Sequence, residues 1–398
     1  MLPAVFAFLR SPSLRQSRPV LLISFTNKVG AIGLSLITIL LVGRGVSTGE
    51  GTFVLTALKA TMLVGTLAGG ALSDRLGART LVLAALLMSA AGLGGLPFQG
   101  ALALILLFGI VAQFAEALLN VVQRILLMDQ VDSVHQKEAL GWMRMVNNLA
   151  QIFSFSVAAL GSGLGVTPLI LFDASTSLGA FVLARRILPA DEGVPARGRG
   201  VGGERAGGGG GKSAFFRCAL VLAGWSFFYE LFLEGCAGRL EMLHPGRGLL
   251  RFSTMMILNT VLCAAFAIPA TRLFQESWRA ITGGMLLTAF GLLLAGWGMA
   301  SQLWVFGGML AMTLGELMIG AVSQYTLMRL TPGESSAGFY YSLGVTLMQC
   351  GRIGGASLAF PLLIHAAGLA PFTALVALVL ALQLALLWSL RTDIGRLG

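Results

Sequence analysis

Apolar residues in this chain gather into runs about as long as a lipid bilayer is thick. The stretches Leu81 to Leu96, Ala101 to Ala112 and Pro371 to Leu390 contain no charged residue. A helix needs about 20 such residues to cross a hydrocarbon core of ~30 Å, and in hydrocarbon every backbone polar group must be satisfied internally, which selects helices. Only 11% of the 398 residues are charged, against about 25% in a soluble domain, too few to wet a globular surface. Hydropathy predicts twelve helices, near 20–42, 52–72, 80–98, 101–127, 139–163 and 167–187, then 214–240, 249–271, 280–300, 302–329, 336–365 and 370–390.

One break interrupts this pattern. Pro189 to Lys212 is the longest polar run and holds five consecutive glycines, the composition of a solvated linker. The expected organisation is a first bundle over 1–188, a cytoplasmic Gly/Arg-rich linker over 189–213 and a second bundle over 214–398. The short Gly211-Lys212-Ser213 run lacks the preceding strand of a phosphate-binding loop. The opening residues, Met1 to Arg18, read as a cytoplasmic lead-in without the cleavage site of a secretory signal.

The net charge of +10 would suggest nucleic acid in a soluble protein. Here the arginines fall between apolar runs, where they set topology. With both ends inside, seventeen basic residues lie in cytoplasmic segments and four, Arg44, Arg239, Arg247 and Arg251, on the opposite face. This orientation and the Arg-rich, Ala/Gly/Leu-rich composition predict the inner membrane of a bacterium with a GC-rich genome, and no nucleic-acid partner. Cys218, Cys236, Cys263 and Cys350 all lie in apolar segments without a CxxC pair, so they read as small buried hydrophobes, not disulfides or metal ligands. His135, His244 and His365 stand in different segments and no HExxH occurs, so no clustered nucleophile, base or metal set points to an enzyme, a metal or a cofactor.

The two halves resemble each other. Sliding the chain by 200 residues lays Phe114–Asp132 on Leu314–Pro332, with Glu116 on Glu316, Leu127 on Leu327 and Met128 on Met328. The match pairs the fourth span of one half with the fourth of the other, as internal duplication requires.

Between spans two and three stands Gly70-Ala71-Leu72-Ser73-Asp74-Arg75-Leu76-Gly77-Ala78-Arg79. This resembles the signature loop of the major facilitator superfamily: a glycine, an Asp-Arg pair, a second glycine and a basic cluster, with Ala78 where the family usually has a basic residue. The resemblance implies an all-α membrane fold, twelve helices in two six-helix bundles related by pseudo-two-fold symmetry, and transport by alternating access. Gly70 is expected to permit close helix packing and Gly77 a tight turn. Asp74, with Arg75 and Arg79, would form a cytoplasmic gating loop. Its carboxylate would latch onto the start of the eleventh span near Ser335 and Ser336, where free amides favour an anion. A Gly-Pro-rich motif in span five and an arginine near the outer half of span four, where this chain has Gln113 and Glu116, are both common in drug–proton antiporters and missing here.

Charges inside spans cost about 2.5–3.5 kcal/mol on insertion scales and so face a cavity or a partner. Lys28, Lys59, Glu116, Glu230, Glu316 and Arg352 are such charges, three basic and three acidic. Several extend as stripes at helical spacing: Gln113, Glu116 and Asn120 in span four, Ser226, Glu230 and Glu234 in span seven, Thr313 and Glu316 in span ten, Thr346, Gln349 and Arg352 in span eleven. The resemblance implies that spans one, four, seven and ten line a central cavity. Burial favours the neutral form of a carboxylate, which makes Glu116, Glu230 and Glu316 candidate proton carriers. Lys28, Lys59 and Arg352 would hold a substrate anion or neutralise those acids, and static ion pairing is the alternative role. Asp173 serves packing or transport equally well. The expected protein is a monomeric secondary transporter of a small organic solute, surrounded by lipid and coupled to protons. Export of a drug or metabolite leads; proton-coupled uptake, or a receptor that has lost transport, are the alternatives.

Overall fold

The structure is a computed structural model and describes residues 17–98, 101–131, 136–189, 211–274, 277–298, 301–330, 337–364 and 369–395. Its regular structure is helical throughout these residues: α1 (Arg18–Lys28), α2 (Ile37–Gly43), α3 (Thr48–Leu76), α4 (Ala78–Gly95), α5 (Leu102–Asp129), α6 (Gln136–Leu160), α7 (Val166–Ile187), α8 (Lys212–Leu243), α9 (Gly248–Leu273), α10 (Ser277–Gly298), α11 (Gln302–Arg329), α12 (Ala337–Ala359) and α13 (Leu369–Gly395). Helices α1 and α2 together make the first span. The linker expected over 189–213 and the serines expected to receive Asp74 lie, but for their edges, outside the described residues.

Eleven helical segments among the described residues are long and apolar enough to cross a membrane. The remaining long helix, α6, has 25 residues, enough length for the bilayer. It falls short in hydropathy because Arg144, Asn147, Asn148 and Gln151 concentrate on it. Asn147 accepts a hydrogen bond from Ser24 of α1 at 2.7 Å, so that polar face is turned toward protein. Large apolar side chains such as Phe53, Leu107, Leu178, Phe290, Leu382 and Trp388 stand exposed along the other helices. In water such a surface would aggregate; in lipid it is the solvated face.

Two spans depart from the continuous helices expected. The first is broken between Lys28 and Ile37 by a turn and a 3₁₀ turn over Gly33–Leu36. The backbone N–H that opens its second half needs an acceptor, and the buried carboxylate of Asp173 on α7 supplies one, 2.8 Å from Gly33 N. At Gly30 the chain lies so close to Asp173 Cα and Thr176 that a β-carbon would overlap them. The eleventh span ends in a π-helical turn over Phe360–Ile364, because Pro361 removes one backbone donor and clashes with the preceding turn.

By contact density the chain forms two compact units. One comprises residues 1–35, 64–198 and 260–268. Its core is an apolar cluster in which Ile23, Leu86, Leu119, Val122, Leu127 and Ala180 are buried. The other comprises residues 36–63, 199–259 and 269–398. Its core gathers Phe215, Leu222, Ile281, Met285, Ile319 and Leu390. Within it α10 and α11 approach backbone to backbone: a β-carbon at Gly291 would lie 2.5 Å from Gly308 O, and one at Gly315 2.5 Å from Gly284 O. Such contact is the packing that small residues provide where no hydrophobic effect draws helices together.

Candidate functional site: buried ion pairs within each unit

In the first unit Lys28, at the end of α1, forms a salt bridge with Glu116 of α5, the two side chains 12% and 15% exposed. Asn120, one turn along α5, donates from Nδ2 to the same Oε1 at 3.1 Å. Gln113, one turn before Glu116, is buried. The stripe expected on span four is therefore real as a face of α5, and it meets α1. Other polar side chains of α1 are answered by different helices. Ser24 bonds to Asn147 of α6, and Asn27 Oδ1 accepts from Ser177 of α7 at 3.0 Å. A buried polar group without a partner costs roughly 1–3 kcal/mol; here the network holds the first span in one rotation.

In the second unit Lys59 of α3 lies between two carboxylates of α8. It forms a salt bridge with Glu230, and its Nζ is 3.0 Å from Glu234 Oε1. Glu234 also accepts a hydrogen bond from the hydroxyl of Thr38 on α2. Arg352 of α12 reaches the other oxygen of Glu230 loosely, Nε to Oε2 at 3.9 Å. One ammonium thus binds acids one helical turn apart, and both acids are more than nine-tenths buried. Close to this cluster Thr56 of α3 and Ser357 of α12 share a hydrogen bond of 2.6 Å. Further along, the ring of Phe360 lies so close over Gly51 that a β-carbon there would overlap it.

Glu316 of α11 belongs to neither group. It accepts from Asn259 Nδ2 of α9 at 3.2 Å, and Asn259 also donates to Thr313 at 3.0 Å. Gln349, expected beside Arg352, is half-buried on α12.

Glu116 is thus paired with Lys28, whereas Arg352 remains 31% exposed and touches Glu230 only loosely. Reading the sequence alone missed Thr38 and Asn259, which carry no charge and stand outside the polar stripes. It left Asp173 undecided, because the amide that Asp173 accepts belongs to a segment 140 residues away.

The signature loop is shorter than expected. Helix α3 runs on through Leu76, so Gly70, Asp74 and Arg75 are helical and the turn itself is Gly77, with φ +81°, a conformation glycine alone adopts without strain. Arg79 Nη2 donates to Arg185 O at 3.2 Å. Gly70 does not supply the close packing expected of it: a β-carbon there meets open space among the described residues. That contact belongs to Gly65 and Gly69, which lie on α5 at Phe114 O and Val121. The side chain of Asp74 lies outside the described residues. Cys218, Cys236 and Cys263 are buried as expected, but Cys350 is exposed.

A POT family transporter in complex with a thioalcohol-conjugated peptide is 12% identical with a TM-score of 0.75, the alignment covering 95% of this chain and 96% of that one. A POT family transporter in complex with 5-aminolevulinic acid is 13% identical with a TM-score of 0.72, covering 95% and 96%. A Glu-to-Gln mutant of the peptide transporter POT is 14% identical with a TM-score of 0.72, covering 96% and 95%. At these identities the likeness is one of fold. No curated protein matches the chain. Residues 20–356 match the Major Facilitator Superfamily, and together with the all-α architecture and the broken first span wired to its neighbours by buried polar contacts, this establishes that the chain belongs to the Major Facilitator Superfamily.

Proposed function

We propose that this transporter carries a small polar organic solute across a bacterial inner membrane by alternating access, driven by protons, with uptake as its working direction. The observation that carries the reading is Lys59 held between Glu230 and Glu234. Residues from before the linker (Thr38, Lys59) and after it (Glu230, Glu234, Arg352) meet there in one compact unit. Removing one member of a buried ion pair costs about 3–5 kcal/mol, so the parted cluster is a minor state while all its charges remain. A proton taken by either glutamate cancels one of the two attractions on Lys59 and lets the segments part. The cluster is thereby a latch whose key is a proton, and Glu116 with Lys28 is the corresponding candidate in the other unit.

Uptake is preferred over drug export for two reasons. The antiporter features absent from spans four and five count against proton-driven multidrug export. The solutes held by the similar structures, a conjugated peptide and 5-aminolevulinic acid, are small and polar, unlike typical drugs. Purified protein in proteoliposomes with an acidic exterior should accumulate labelled small peptides or amino acids against their gradient. Glu230→Gln should abolish accumulation by at least tenfold while retaining solute counterflow without a pH gradient. Solute that leaves acid-loaded vesicles, and never accumulates, would reverse the direction; accumulation unaffected in both Glu230→Gln and Glu234→Gln would remove the latch.

A further inference from the structure

A second cationic centre lies apart from the buried ion pairs, where α13 ends and α10 begins. The guanidinium of Arg391 on α13 stands over two indole rings at once. One is Trp388, a turn earlier on its own helix, with the centroid at 5.3 Å. The other is Trp278, in the first turn of α10, at 5.1 Å. Arg279 lies over the same Trp278 ring at 5.8 Å. Trp278 is held by packing against the core of the second unit, whereas Trp388 is 70% exposed.

An arginine that only snorkelled would extend from the helix end into water. Arg391 is instead held against rings of two helices, within the ~6 Å over which an aromatic face attracts a cation. Stacking occupies the face of a guanidinium and leaves its in-plane N–H donors to spend on a phosphate or carboxylate fork. Among the described residues the two rings are the partners of Arg391, and no carboxylate is. The sole acid of α13, Asp393, is already taken: Arg217 of α8 donates to it at 3.2 Å and to Ser389 O and Oγ at 2.9 and 3.0 Å. Two cations gathered at one ring repel each other, and an anion shared between them removes that cost. The free amides in the first turn of α10 favour negative charge at the same place. Leu286 and Phe290 follow Arg279 on one face of α10, at steps of seven and four residues, and both are exposed.

The geometry points to a binding site for an anionic phospholipid of the surrounding bilayer. Arg391 and Arg279 take the phosphate, Trp388 lies beside it at the height of the head group, and an acyl chain runs along Leu286 and Phe290. A zwitterionic lipid brings its own cation to the two guanidiniums, and a free phosphate gains nothing from the apolar face. The site goes beyond the transport reading and holds whatever solute the protein carries.

The test counts lipids bound to the full-length protein in detergent by native mass spectrometry, with dioleoyl phosphatidylglycerol and dioleoyl phosphatidylcholine as probes. The first phosphatidylglycerol should bind roughly tenfold more tightly than the first phosphatidylcholine. Arg391→Gln should weaken phosphatidylglycerol about tenfold, the equivalent of one charge-assisted hydrogen bond, and leave phosphatidylcholine unchanged. Arg391→Lys should recover only part of the loss, since an ammonium lacks the fork. Arg247→Gln removes the same charge at an exposed position beyond the other end of α8 and should leave the affinity as it was. Trp388→Leu keeps an apolar side chain and loses the stack. It should weaken phosphatidylglycerol several-fold, and it decides the matter if Arg391→Gln does not fold. The site is overturned if the two lipids bind equally or if the Arg391 and Trp388 variants leave the affinity unchanged. It is equally overturned if Arg247→Gln costs as much as Arg391→Gln, or if millimolar inorganic phosphate displaces the lipid, which would mark a bare anion site.

Discussion

Asp173 shows what one side chain decides in this protein. Its carboxylate accepts the N–H of Gly33 at 2.8 Å and so makes the break in the first span affordable inside a membrane, where an orphan amide costs several kcal/mol. The bond needs an oxygen and not a charge. Asp173→Asn keeps the acceptor and should fold with near-native thermal stability, whereas Asp173→Leu orphans the amide and should cost roughly 1–3 kcal/mol, seen as a lower Tm in detergent. Equal stability of the two variants would show that the residue only fills space. Lys59 illustrates the opposite case: its two acidic partners require charge, so a neutral isostere there leaves Glu234 without a cation and Glu230 with only the loose contact of Arg352.

At the scale of elements, α3 matters most, because its first half and its second half belong to different compact units. The half up to Leu63 packs with α8 and α12. Thr56 and Ser357 hydrogen-bond across α3 and α12, and Phe360 of the π turn covers Gly51. If this contact opens and closes during transport, locking it must stop the cycle. Thr56→Cys with Ser357→Cys, in a background carrying Cys350→Ser, should form a disulfide on mild oxidation, since hydroxyls 2.6 Å apart bring the two β-carbons within bonding reach. Flux should fall at least tenfold on oxidation and return with reductant. A cross-linked protein that transports normally would show the contact to be static. The polarity of α6 also belongs to this scale: hydropathy alone undervalues this long helix, one of whose polar residues, Asn147, answers Ser24 of α1.

For the whole molecule the testable statement is topology. If both ends lie inside, as the arginine distribution predicts, twelve crossings put the end of α5 in the cytoplasm and the α6–α7 turn outside. In intact cells an impermeant maleimide should label Ser162→Cys and spare Gln130→Cys; labelling of both, or of neither, would show that α6 does not cross. Much of this plan is legible without coordinates. Hydrocarbon thickness acts on each segment locally, so the lengths of the apolar runs set the crossings. The ionisable residues of the spans are legible for the same reason, since a charge in hydrocarbon stands out one residue at a time.

Partnership was decided elsewhere. Whether Lys59 meets Glu230 and Glu234, or Glu316 meets Asn259, depends on the rotation and height of helices more than fifty residues apart, and no local pattern encodes either. Composition and periodicity chose which side chains must find partners, because the membrane penalises each of them individually. Only the packed helices chose which partner each one found.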